Sequence, residues 1–148
     1  MASAARSALI GTWALVSFTE RDEDGHVHDV WGPNPRGTIT YTETGTMSVV
    51  FASSARSRFS GAWEAVSDAD KASQYDAMVA YAGRYTDFGD RVVHHVEVCW
   101  IPNWEGRDLE RYITHLDNDQ VLLRTPPSRF GRSQPVQDVI VRRVHSRP

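Results

Sequence analysis

Short runs of β-branched and aromatic residues, each closed by a turn signal, recur along this 148-residue chain. That rhythm restricts the chain to a sheet-based fold. Residues 9–20 are rich in Thr, Trp, Val and Phe. Residues 37–41 and 47–51 flank Thr42-Glu43-Thr44-Gly45-Thr46, a hairpin turn in which Gly45 supplies left-handed backbone. Residues 85–87 and 92–101 flank Phe88-Gly89-Asp90, and residues 108–115 and 121–125 flank Asp117-Asn118-Asp119. Residues 136–144 form the last run, and residues 27–31 a weaker one. Strands at this spacing build an all-β, antiparallel barrel or sandwich. One segment breaks the pattern. Ser67 followed by Asp70 resembles a capping box, Ala72, Tyr75, Val79 and Ala82 recur at helical spacing, and Gly83 supplies a stop. The spacing predicts one amphipathic α-helix over residues 68–82, inserted mid-chain.

The length fits a single domain over residues 1–148. A net charge of −3 argues against a nucleic-acid partner, which needs a surplus of Lys and Arg to displace phosphate counterions. No apolar run approaches the ~20 residues of a membrane span. The opening residues 1–6 lack the apolar core of a secretory signal, and Cys99 is the one cysteine. A cytoplasmic location is the expectation. With no phosphate-cradling Gly loop and no dinucleotide fingerprint, no cofactor is expected. His26 and His28 share a strand face without an evident third ligand, so they read as surface histidines and no metal is expected. Cys99 reads as a buried, inert thiol.

Hairpin turns fix register, and register fixes which side chains point inward. A symmetric turn about Thr44 pairs Tyr41 with Met47, Ile39 with Val49 and Gly37 with Phe51. The Asn118 turn pairs His115 with Val121, Ile113 with Leu123 and Arg111 with Thr125. If Ile101 faces Arg107 across the 102–106 turn, then Glu97 faces Arg111, Cys99 faces Leu109 and His95 faces Ile113. The Gly89 turn places Tyr85 opposite Val93 on that same face. The expected interior is apolar (Ile39, Met47, Val49, Phe51, Val93, Leu109, Ile113, Val121, Leu123). Tyr41, Tyr85, His95, Glu97, Arg111 and His115 project into it, as in a small-molecule pocket. The outward face, Val96, Val98 and Trp100, would need a cover, either the helix or the seam of a homodimer.

His95, Glu97 and Arg111 are the candidate catalytic group. His95 can move protons near neutral pH, Glu97 can orient it or act as base, and Arg111 can hold a carboxylate or a developing oxyanion. The competing reading is a self-satisfied buried ion pair. Residues 52–66, with Arg56, Arg58, Phe59, Gly61 and Trp63, read as a lid or a plain surface connection at one barrel end.

Gly11-Thr12-Trp13 at the head of the first run resembles the Gly-x-Trp signature of lipocalins and related calycin barrels. With it, Leu9-Ile-Gly-Thr-Trp-Ala-Leu-Val-Ser-Phe18, Gly37-Thr-Ile-Thr-Tyr-Thr-Glu-Thr-Gly-Thr-Met-Ser48, Gly83-Arg-Tyr85, His94-His-Val-Glu97 and Pro102-Asn-Trp104 resemble the bacterial lipocalin-like domain family over residues 7–145. The resemblance implies a closed calycin-type barrel of about eight to ten strands with an internal cavity. It also implies that Trp13 plugs the closed end, with Arg142 or Arg143 packed across it. Gly11, Trp13 and Arg142 form the expected closing set. Calycin barrels include passive carriers and cofactor-free enzymes. The expected function is therefore binding of a small hydrophobic molecule, lined by Tyr41, Met47, Phe51, Tyr85, Leu109, Ile113, His115 and Leu123. The alternative is a cofactor-independent isomerase, cyclase or lyase acting on a polyketide- or terpenoid-like metabolite in the same cavity through His95, Glu97 and Arg111.

Overall fold

The structure is a computed structural model that describes residues 6–126 and 136–146. Nine strands follow in chain order: β1 (Gly11–Arg21), β2 (Val27–Asp29), β3 (Arg36–Tyr41), β4 (Thr46–Ala52), β5 (Met78–Asp87), β6 (Arg91–Cys99), β7 (Asp108–Leu116), β8 (Gln120–Arg124) and β9 (Val136–Arg143). Helix α1 (Asp68–Asp76) separates β4 from β5. Each of β3 to β8 pairs antiparallel with its successor, and β1 pairs with both β3 and β9. Eight strands thus close into a barrel without a free edge. The short β2 adds to the end of β1, where Glu20 pairs with His28. No helix among the described residues is long and apolar enough to cross a membrane.

The Thr44 and Asn118 hairpins adopt the register that symmetric turns require. Tyr41 pairs with Met47 and Ile39 with Val49, while Ile113 pairs with Leu123 and His115 with Val121. Alternation then sends Ile39, Tyr41, Met47, Val49, Phe51, Val121 and Leu123 inward, where all are buried. At the closed end Trp13 is buried, and its indole Nε1 donates to the Leu9 carbonyl at 2.8 Å. The basic residue across it is Arg143, not the expected Arg142. The Arg143 guanidinium carbon lies 4.3 Å from the Trp13 ring centroid, and its two amino groups donate to the carbonyls of Ile10 and Ala8. Pairing decides this: Trp13 is opposite Arg143, so the two share the inner face, whereas Arg142 is exposed. Gly11 makes room, since a Cβ there would come 2.8 Å from the Arg143 amino nitrogen.

The helix is shorter than the periodicity predicts. Ser67 caps it by accepting from the Asp70 amide, but α1 ends at Asp76, and residues 78–82 belong to β5. Val79 and Ala82 satisfy a helical period by coincidence; in β5 the alternation of Val79, Tyr81 and Gly83 faces the interior instead. Gly83 is a strand residue, not a helix stop. A Cβ on it would sit 1.9 Å from the His95 carbonyl oxygen, so only glycine permits this backbone approach.

The faces of β6 are the reverse of those expected, because Tyr85 pairs with His94 and not with Val93; Gly83 marks a β-bulge further along the same ladder. Ala82 pairs with Val98 and Gly83 with Val96, which leaves Glu97 as the extra residue. Toward β7, Val92 is opposite Arg111 and His94 opposite Leu109. The ladder with β7 ends where the Val96 amide donates to the Arg107 carbonyl; β6 continues along β5 to Cys99, and residues 100–106 form the connection. The inner face of β6 is therefore Val92, His94, Val96 and, beyond the bulge, Cys99. Val93, His95 and Glu97 face out. The anticipated outer strip is broken accordingly, with Val96 buried, Val98 exposed and Trp100 half-buried.

Candidate ligand-binding cavity

Beyond the Trp13 plug, the barrel encloses a cavity of about 220 Å³ that opens at the end carrying α1. At ~30 Å³ per water in the liquid, that is the space of about seven waters, enough for a compact organic molecule of one or two rings. Phe18, Ile39, Val49, Phe51, Leu123 and Val139 supply apolar walls from five different strands. The mouth is aromatic. Trp31 stands edge-on to Phe18 at 5.0 Å, and Trp100 edge-on to Trp104 at 5.3 Å. Helix α1 fastens this rim, because the Tyr75 hydroxyl donates to the Trp100 carbonyl and the Trp31 indole donates to the Asp76 carbonyl at 3.3 Å.

The polar groups lie deeper. His94 forms part of the cavity floor and is 1% exposed. Its Nε2 is 2.7 Å from the Tyr41 hydroxyl and its Nδ1 is 2.7 Å from the Tyr81 hydroxyl. Burial, followed by the charges of Arg111 and His95, holds its pKa well below the ordinary 6.5, so the ring is neutral. Tyr81 and Arg111 both line the cavity. Burial raises the Tyr81 phenol above its ordinary pKa, and the adjacent Arg111 guanidinium works against that rise. Burial also raises Tyr41 strongly. Arg111 donates to the Glu110 carbonyl at 2.8 Å through one amino group.

Of the expected catalytic group, only Arg111 reaches the cavity. His95 is on the outer wall, with Nε2 2.9 Å from the Thr86 hydroxyl and Nδ1 2.8 Å from an Asp108 carboxylate oxygen. The order hydroxyl, imidazole, carboxylate imitates a nucleophilic triad. It sits on the exposed outer face of the strands, however, and not in the cavity. Glu97 is exposed and lies 3.6 Å from Arg84, not Arg111. Two register differences produce both misplacements: Tyr85 pairs with His94, not the expected Val93, and Arg111 with Val92, not the expected Glu97.

Of the expected ligand contacts, Phe51 and Leu123 line the cavity. Tyr41 and Met47 are buried beneath it, toward the closed end. Tyr85 packs edge-on against Tyr41 and donates to the Thr42 carbonyl. Leu109 and Ile113 pack on the core beside the cavity, and His115 is exposed at the end of β7. His26 pairs with Asp22, and His28 with Glu20. Burial raises the Cys99 thiol pKa, as does the Glu105 carboxylate that accepts from the Cys99 amide. That is the opposite of what a nucleophile needs.

The cavity-lining residues that the sequence reading does not include are His94 and Tyr81, with the mouth tryptophans. A signal for His94 exists: Val92, His94 and Val96 are the more apolar face of β6, compared with Val93, His95 and Glu97. Tyr81 was hidden by the overlong helix.

Compared with known protein families, residues 10–144 match the lipocalin-like domain, a barrel that fits the binding of small hydrophobic ligands in general. No curated protein matches the chain.

Proposed function

The chain belongs to the lipocalin-like domain family, and on that premise we propose that it binds a compact, largely apolar molecule inside the barrel, with the polar end of the ligand against Arg111 at the floor. One observation carries this reading: an apolar hollow with Arg111, a permanent cation, in its lining. An arginine turned toward greasy walls needs an anionic or strongly dipolar partner once water is excluded. The aromatic rim can pack on the ligand's rings as they enter.

Holding is favoured over turnover. Both nitrogens of His94 are occupied by phenols, so the buried imidazole has no lone pair free for a substrate proton. The acid–base pair expected to run an isomerisation, His95 and Glu97, stands outside. The test is native mass spectrometry of freshly purified full-length protein, with organic extraction of whatever is retained. A small cyclic compound bearing a carbonyl or carboxylate is expected, with weaker retention in Arg111→Ala. Protein that retains nothing and binds no member of a panel of one- and two-ring ketones and acids would overturn the proposal.

A further inference from the structure

Tyr41, His94 and Tyr81 hold three protons and share two hydrogen bonds. Each phenol carries one O–H, and a neutral imidazole carries one N–H and one acceptor nitrogen. Two bonds use two protons, so one phenol must aim its own elsewhere.

Burial decides which. Tyr41 is 1% exposed and does not line the cavity, and His94 Nε2 is its hydroxyl's one hydrogen-bond partner among the described residues. Were the spare proton on Tyr41, a buried donor would lack an acceptor, a state disfavoured roughly ten-fold or more. Tyr41 therefore donates to Nε2, and the Nδ1–H of His94 donates to the Tyr81 oxygen. The Tyr81 O–H is then uncommitted, and Tyr81 lies on the cavity wall. Its neighbour Arg111 can only donate, so it cannot take that proton. Among the described residues no other group takes it, which leaves a molecule inside the hollow.

We infer that Tyr81 is the hydrogen-bond donor through which the cavity recognises its ligand, and that the hollow selects molecules with an acceptor oxygen, a carbonyl or carboxylate, over apolar isosteres. This rests on the cavity-binding reading above and adds the ligand's chemistry to it. The His94 N–H donated to the Tyr81 oxygen, with the Arg111 charge beside it, draws electron density from its O–H bond and makes it a stronger donor. Arg111 beside it disfavours ligands that offer only donors. The chain of bonds also fixes the Tyr81 hydroxyl before a ligand arrives, so little orientational freedom is lost on binding.

The probes are 2-acetylnaphthalene and 2-isopropylnaphthalene, matched in shape and differing in the acceptor oxygen. Binding is followed by quenching of the mouth tryptophans. In the native chain the ketone should bind about five- to ten-fold tighter than the hydrocarbon. In Tyr81→Phe that preference should fall by about three-fold or more, the remainder being owed to Arg111, with hydrocarbon affinity held within about two-fold. A preference undiminished in Tyr81→Phe, or no preference in the native chain while both compounds bind, overturns this inference alone. Failure of both compounds to bind removes the cavity reading and this inference with it. A measurement on the unmutated chain is independent of ligand and of variant folding. Nitrogen-15 NMR of the His94 ring should show Nδ1 protonated and Nε2 bare; the opposite tautomer would give the spare proton to Tyr41 and overturn the inference.

Discussion

A histidine sealed inside a barrel couples folding to pH in one direction. The pKa of His94 lies well below 6.5 in the folded protein because burial penalises the imidazolium, and Arg111 and His95 add repulsion. In the unfolded chain the same ring titrates near 6.5. Between the folded pKa and 6.5, the unfolded state binds the additional proton, so unfolding free energy rises with pH across that window. Stability is thus unaffected by this group above about pH 7 and is lost on acidification below about 6.5, at no more than about 1.4 kcal/mol per pH unit for one proton. His94→Gln keeps a donor and an acceptor between the two tyrosines but cannot titrate. Urea unfolding from pH 7 to 4.5 should show native stability falling faster than that of His94→Gln. Parallel curves would mean that His94 reaches solvent and protonates in the fold. The sequence shows a histidine here but not its environment, because His94 and His95 differ only in which way the strand turns them.

At the scale of elements, turn length decides what could be read in advance. The Thr42–Thr46 and Asp117–Asp119 turns leave no slack, so their registers, and the burial of Ile39, Tyr41, Val49 and Leu123, follow from the residues alone. The connection after β6 has slack. It carries a 3₁₀ turn at Pro102–Trp104, and the ladder with β7 resumes only near Arg107. An odd slip there inverts a whole strand. The bulge at Glu97 adds a second inversion along β6, which is why Cys99 returns to the inside. Gly83 was the visible trace of that bulge, although beside a helical period it imitated a stop. A paired prediction follows at this scale. Gly83→Ala should destabilise by roughly 2–3 kcal/mol, because the new methyl meets backbone that cannot move without breaking the β5–β6 ladder. Glu97→Gln should change stability by less than about 0.5 kcal/mol, since its partner Arg84 is mostly solvated. Denaturant midpoints of the two variants measure both. A severe loss in Glu97→Gln with none in Gly83→Ala would restore the opposite facing of the strand.

For the whole molecule, closure matters most. The β1–β9 ladder turns an open sheet into a wall with two distinct surfaces, so each substitution on a strand acts either on the hollow or on solvent. Ligand binding in the hollow stabilises the fold by RT ln(1 + [L]/Kd), about 2.7 kcal/mol at a hundredfold excess over Kd, or roughly 5–11 °C in Tm for a chain of this length. A compound such as 2-acetylnaphthalene should raise Tm by that amount in the native chain. Val139→Trp, which adds an indole to the inner wall of β9, should abolish the rise because its side chain takes up the ligand's space. Val98→Asp places a charge on the exposed outer face of β6, 65% accessible, and should leave the rise intact. Ligand-dependent Tm in the three proteins separates an internal site from adsorption on the apolar exterior. Loss of the rise in Val98→Asp with its persistence in Val139→Trp would locate the ligand outside the barrel, where neither Tyr81 nor Arg111 could reach it.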